Sequence, residues 1–426
     1  MLLILPAVVL SAPIIAGAPP ASPVVFAYGG GFDGYETWDW STITHIGFWT
    51  PPSDDVKAVA KKHDVRLFHT CTTADPDHWT DSHKRQQLTQ ACVDDVKAHG
   101  YDGVFFDFEG NQLSSDQQKG YVRYAQETTD ALRPLNASLF VNVGGRPSYE
   151  LRNYDYIGLA GASDFLFIMG YDMHFYDDYT CMKTSEGNVC SPAEASIRSL
   201  TAGVEEYLKA GVPAEKLVLG LPWYGQRYKQ IVAPINEGQI NFKDVVKAFD
   251  DGRVTDQSHD KDSLSKIIKC KGDCLPGKGG DKVWYDDAET LAPKFALAGK
   301  NHLRGVGIWE ADKLPTEDKH ADLCKAMWAA VKGWQDDADA PAPVPATGDE
   351  GDEGLERVGK VCVYATNCHG RCAWTPSKTA CANNKVCEDA YPQPRYAATM
   401  CIHLDGANAS AAANATEVEP FVDWKH

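Results

Sequence analysis

Eight short apolar or β-branched runs recur through the first three quarters of the chain: VVFAYGG from Val24, THIGFW from Thr44, VRLFHTC from Val65, GVFFDFE from Gly103, SLFVNVGG from Ser138, DFLFIMGYD from Asp164, KLVLGLPWYG from Lys216 and GVGIWEAD from Gly305. Each has the length of a strand buried on both faces, and most are separated by polar stretches with helical spacing. In DSHKRQQLTQACVDDVKAHG, Leu88, Cys92 and Val96 recur every fourth residue, and Gly100 is placed to end the helix. Near-continuous apolar strands alternating with helices predict a parallel α/β fold, and their number predicts a closed (β/α)8 barrel of TIM type. The stretch 226–304 is too long for one crossover helix, so an insertion is expected between strands 7 and 8, with VWYDD from Val283 as a further strand.

In such a barrel the site lies at the carboxyl ends of the strands, which makes GYDGVFFDFEG, residues 100–110, the stretch to weigh. Side chains alternate along a strand, so Asp107 and Glu109 point the same way, their Cα atoms about 7 Å apart, and Val104, Phe106 and Phe108 point the other way. Two unpaired carboxylates on a buried face cost several kcal/mol each; they must be compensated, share protons, or sit at a solvent-reachable end. Tyr171 and Asp172 end strand 6, Trp223 and Tyr224 end strand 7, and Trp309 with Glu310 ends strand 8, while Asn142 lies late in strand 5. Aromatic faces stack on sugar rings and acids do proton chemistry, so the convergence points to a glycoside substrate. The plainer readings are ion pairs at strand ends and aromatic packing.

The chain of 426 residues carries 41 Lys plus Arg against 59 Asp plus Glu, a net charge of −18, which argues against nucleic acid and anionic membrane surfaces as partners. Residues 1–21 read as a cleaved signal peptide, with cleavage between Ala18 and Ala21, and no later segment is apolar enough to span a bilayer. Thirteen cysteines suit an oxidising compartment. Cys71 with Cys92, Cys181 with Cys190, and Cys270 with Cys274 are near enough to bridge, which leaves Cys324 as a small buried hydrophobe. Cys270-x3-Cys274 has no matching half at zinc spacing, so neither metal nor cofactor is expected. The barrel is assigned to 22–334, an acidic Pro/Ala-rich linker to 335–357, a module stapled by six cysteines to 358–404, and a disordered tail to 405–426. The protein is expected to be an exported monomer, lysosomal or secreted; Asn136, Asn408 and Asn414 stand in glycosylation sequons.

With DGVFFDFE, MGYD, LPWYG, VWYDD and GVGIW in this order, residues 24–333 resemble glycoside hydrolase family 18, the chitinases and their relatives. The resemblance implies a barrel that cleaves β-1,4 links next to N-acetylglucosamine with retention, by substrate-assisted catalysis, in chitobiose, chito-oligosaccharides or N-glycan cores. Carried over by motif, Glu109 is the general acid and later base, Asp107 orients the substrate acetamide and balances the oxazolinium charge, Tyr171 holds the acetamide oxygen, and Trp309 floors the adjoining subsite. Trp223, Tyr224, Asp172 and Asn142 are further substrate contacts. A general acid useful near neutral pH needs a raised pKa, which a neighbouring carboxylate in an apolar barrel provides. The departure from the pattern is Phe105, where family 18 carries an acid facing the lumen. The other reading of such a chain is a sugar-binding lectin without chemistry, whose mark is loss of the acid present here as Glu109. His69 and His174 read as packing or surface residues.

Overall fold

The computed structural model describes residues 23–71, 75–110, 112–147, 152–173, 193–229 and 235–335, and the backbone of 361–368, 371–375 and 398–402. By contacts the chain divides into two units, 1–345 and 346–426.

All eight apolar runs form strands of one barrel. They are β1 (Val24–Gly29), β2 (His45–Phe48), β3 (Arg66–Thr70), β4 (Gly103–Phe106), β5 (Ser138–Gly144), β6 (Phe165–Met169) and β7 (Leu217–Pro222), and after an insertion the strand Gly305–Trp309 closes the ring between β7 and β1. Every neighbouring pair is parallel. The lumen is filled by rings: Phe26, Phe68, Phe105, Phe140, Phe165 and Phe167 form one buried cluster with Val24, Tyr28 and Val218. The next two strands around the ring make room for Phe167 with glycine; a Cβ on Gly220 or Gly307 would lie 2.2 or 2.4 Å from the Phe167 ring. At the foot of the lumen His45, 8% exposed, lies against Phe26 and Phe68. The other face of each strand packs on helices. Leu88, Cys92 and Val96 of Ser82–His99 turn inward as the spacing predicts, and Gly100 ends that helix at φ 68°.

The insertion is a five-stranded antiparallel sheet of β8 (Tyr224–Lys229), β9 (Ile235–Asn241), β10 (Val254–Asp260), β11 (Ser265–Cys270) and β12 (Lys282–Tyr285), in the order β10-β11-β12-β8-β9. The VWYDD segment is therefore a strand, β12, followed by its two acids. The second of these, Asp287, opens the helix Ala288–Lys300 with a capping box to Thr290. The first, Asp286, meets Lys294 of that helix at 2.6 Å with both side chains buried, and Lys294 also reaches Ser265 of β11 at 3.0 Å. This pair fastens the inserted sheet to a helix of the barrel wall.

Cys71–Cys92 and Cys270–Cys274 are disulfides, and Cys324 is free and buried. Cys181, Cys190 and His174 lie outside the described residues. Asn136 is exposed at the left-handed turn before β5; the other two sequons lie outside the described residues. The closing barrel strand Gly305–Trp309 is β13; the second unit holds β14 (Val361–Cys368), β15 (Arg371–Thr375) and β16 (Ala398–Ile402), an antiparallel sheet with β14 central. Its register sets Cys362 opposite Cys401. Among the described residues no helix is long and apolar enough to cross a membrane.

Candidate active site

The chain leaves β4 at Phe106, so Asp107 and Glu109 lie in the turn just past the strand, not within it as the sequence reading had them. The alternation still holds below them: Phe105 is in the lumen, and Val104, Phe106 and Phe108 belong to the outer core. Phe105 stacks on Phe140 at 5.2 Å and meets Tyr28 and Trp49 edge-on. It offers Asp107 no hydrogen bond.

Asp107 takes its hydrogen bond from the next strand. Its Oδ1 accepts from Asn142 Nδ2 at 3.0 Å, and Asn142 Oδ1 accepts from the Tyr28 hydroxyl at 2.6 Å. Asn142 is 2% exposed, and the two ends of its amide are taken by Tyr28 and Asp107. Burial, and next the Glu109 charge, push the Asp107 carboxyl up to about 6, while the Asn142 hydrogen bond and Arg152 pull the other way. Glu109 is 53% exposed and pairs with Arg152 at 2.7 Å.

Tyr171, past the end of β6, is buried with its hydroxyl lacking a hydrogen-bond partner among the described residues. Burial holds its proton in place, so the hydroxyl is a donor awaiting an acceptor. Trp309 is half-buried and walled by Tyr28 at 4.9 Å, Trp49 at 5.2 Å and Tyr171 at 5.9 Å. Asp172 accepts from the Tyr224 hydroxyl at 2.9 Å, and Glu194 accepts from the Asp172 backbone N–H. Tyr224 and Tyr171 share the lumen cluster.

Trp223 is elsewhere. Leu217, Leu219, Leu221 and Trp223 all occupy the outer core, and the Trp223 ring packs on Trp328 at 4.8 Å with no exposure. Two-residue alternation along β7 dictates this, because Val218 is the lumen residue and Trp223 has the opposite parity. His69 faces outward too, pairing with Asp95 at 2.7 Å, as the packing reading has it.

Four residues at the site went unnoticed in the sequence. Tyr28 and Trp49 end the first and second runs, and the strand-end rule applied there would have found them. Arg152 and Glu194 come from connections with no periodic signal.

A family model described as "Glycosyl hydrolases family 18" matches residues 70–313, more than half of the chain. The chain belongs to this family. As a family 18 member it is classed as a glycoside hydrolase. Among similar proteins, "Probable di-N-acetylchitobiase 2" of Dictyostelium discoideum is 27% identical over 330 residues, covering 70% of this chain and 82% of that protein. The di-N-acetylchitobiase of Mus musculus is 27% identical over 333 residues, covering 72% and 87%. Among solved structures, a chitinase from Chromobacterium violaceum superposes with a TM-score of 0.57 at 19% identity, over 75% of this chain and 100% of that one. A mutant chitinase of Cycas revoluta, in complex with (GlcNAc)4, gives 0.57 at 18% identity, over 72% and 99%. At these identities the structural likeness bears on the fold, which it shares.

Proposed function

We propose that this family 18 chain hydrolyses β-1,4 links beside N-acetylglucosamine with retention, using the substrate's own acetamide as nucleophile. Glu109 gives its proton to the glycosidic oxygen as the bond to C1 breaks, and the acetamide oxygen bonds to C1, forming an oxazolinium. Asp107 faces the acetamide N–H and offsets the positive charge that develops; the Tyr171 hydroxyl donates to the acetamide group. Water then attacks C1, Glu109 takes its proton, and the acetamide is released. To act, Glu109 must exchange Arg152 for substrate. Trp309 supplies the apolar floor, with Tyr224 and Asp172 beside it as contacts for the sugar hydroxyls.

The observation that carries this reading is the orphaned Tyr171 hydroxyl, buried in an aromatic cluster that also contains Tyr28, the first member of the hydrogen-bonded chain to Asp107. A buried donor left unpaired is costly, and an acetamide oxygen would satisfy it. The name di-N-acetylchitobiase borne by similar proteins favours chitobiose as substrate; N-glycan cores and a lysosomal or secreted setting are part of the proposal. Incubation with short chito-oligosaccharides and free N-glycans, with products read by mass and the first-formed anomer by NMR, tests it. At the anomeric carbon of the cleaved bond the β-anomer is expected first; the α-anomer at that carbon, or intact substrate, would sink the mechanism or the activity respectively.

The second unit is proposed to be a separate module joined by a linker. A chain ended at Gln335 is expected to fold and to cleave small soluble substrates at rates within about threefold of the full chain, since the barrel's last helix, Ala321–Lys332, is already complete. Insolubility, or loss of activity on those substrates, would show that the tail completes the barrel.

A further inference from the structure

Beside Asp107, three elements converge. Strand register sets Phe106 of β4 level with Val141 of β5, so the next residues, Asp107 and Asn142, stand side by side where the strands open. Tyr28 reaches Asn142 from β1, across the lumen, and its ring is held by Phe105, Phe167, Trp49 and Trp309 at 4.9 to 5.6 Å. An amide has two ends of nearly equal shape, of which only one can donate to a carboxylate. Something must choose between them.

We propose that Tyr28 and Asn142 form the positioning device for Asp107: the Tyr28 hydroxyl fixes the direction of the Asn142 amide, and that amide holds the carboxylate which Phe105 leaves without a partner. The kinetic part rests on the proposed function, but the structural part does not. Burial and the nearby Asp107 charge keep the proton on Tyr28, so this hydroxyl donates. Asn142 Oδ1 receives it at 2.6 Å, and Nδ2 is thereby left for Asp107 at 3.0 Å. A reversed amide would set its carbonyl oxygen against the carboxylate.

The charged and titratable groups facing Asp107 are few. Glu109 in the same turn opposes its ionisation, and Arg152, paired to Glu109, favours it. Tyr28, Tyr171 and Tyr121 surround it, and burial keeps all three phenols protonated. Asn142 is thus the group that hydrogen-bonds to the ionised form. Tyr28 and Asn142 are positioning residues; they act on substrate through Asp107.

The test uses the full-length enzyme with Tyr28→Phe, Asn142→Leu and both together. Tyr28→Phe removes one oxygen and keeps the ring, so it reports even where Asn142→Leu fails to fold. Asp107 is titrated without substrate by carboxyl 13C NMR on aspartate-labelled protein, its resonance assigned by loss in Asp107→Asn. Each single variant is expected to raise the Asp107 midpoint by at least about half a unit, about threefold in its dissociation constant. The acidic limb of kcat/KM on a chito-oligosaccharide should move up with it. A lost hydrogen bond to a charged group should lower kcat about ten- to a hundredfold, with KM within about threefold. The double variant should match Asn142→Leu alone, because Tyr28 acts through Asn142. A midpoint that stays in place in either folded single variant, or effects that add in the double, would overturn the proposal. Should the wild type cleave no N-acetylglucosamine substrate, the proposed function falls, and the NMR midpoints still decide the relay.

Discussion

Replacing Glu109 with Gln is expected to lower kcat by at least about a hundredfold while leaving the fold in place. Gln keeps the length and polarity of the side chain but has no proton to give a leaving oxygen. Glu109 lies 53% exposed, and the side chain of its partner Arg152 is 18% exposed. Such a pair contributes at most about 1 kcal/mol, so thermal unfolding of Glu109→Gln should nearly overlay the wild type. The contrast is what makes the result readable: activity collapses while stability does not. Because the lost interaction belongs to the transition state, kcat and kcat/KM should fall together and KM should change little. Turnover near the wild-type rate would remove Glu109 from the role of general acid and assign that role to another acid.

The largest effect on stability is expected at Lys294, far from that chemistry. Its ammonium and the Asp286 carboxylate are almost wholly buried, 2.6 Å apart, and Asp286 Oδ2 has no hydrogen-bond partner among the described residues. Lys294→Met keeps most of the volume but abandons the carboxylate in an apolar setting, at a cost of about 3–5 kcal/mol. Pairing it with Asp286→Leu should recover much of that loss, since a buried ion pair is often replaceable by well-packed apolar groups. Denaturant midpoints of the two singles and the double would measure it. A single variant within about 1 kcal/mol of wild type would mean that water or another cation reaches Asp286. Since Ser265, Asp286 and Lys294 join β11, β12 and the following helix, the weakened protein should also expose the inserted sheet to proteolysis before the barrel.

The barrel was legible because its strands are buried on both faces and therefore stand out as apolar runs; all eight are strands of the ring. The insertion was legible from chain length alone, and VWYDD from its β-branched and aromatic content. What parity decides was also in the sequence. Phe105 and Val218 point inward and Phe106 and Trp223 outward, and the placement of Trp223 at the mouth failed because its parity along β7 was not followed. Asn142 stood among the candidates as a substrate contact, yet its partnership with Asp107 depends on which residues of β4 and β5 are level, and pairing register is a property of two strands together. Arg152 and Glu194 arrive from irregular connections, where no period exists to read. Their partners, Glu109 and the Asp172 N–H, are fixed only once the barrel brings the loops to one end.

His45 at the foot of the lumen and Asp107 at its top bind protons against each other. Burial first, and then the Arg66 and Arg304 charges, lower His45 from its ordinary 6.5 to about 3, so on acidification the unfolded chain takes up a proton there that the folded one refuses. From His45, stability is therefore full above 6.5 and lost as pH falls toward 3. Asp107, raised from 3.8 to about 6, has the opposite sign: the folded chain keeps a proton that the unfolded one has released, and stability falls as pH rises across that window. Where the windows overlap the two slopes oppose, one proton each, and the sum of these two contributions is nearly level. Either group removed alone should tilt the curve. Between about pH 4 and 6 the Asp107→Asn protein should gain stability with rising pH relative to wild type, and the His45→Phe protein should lose it, as thermal midpoints measured at several pH values would reveal. Parallel curves for all three would mean that the two groups keep their ordinary affinities. Between about pH 4 and 6, burial of a carboxylate at the mouth and burial of a histidine at the base thus act in opposite directions on stability.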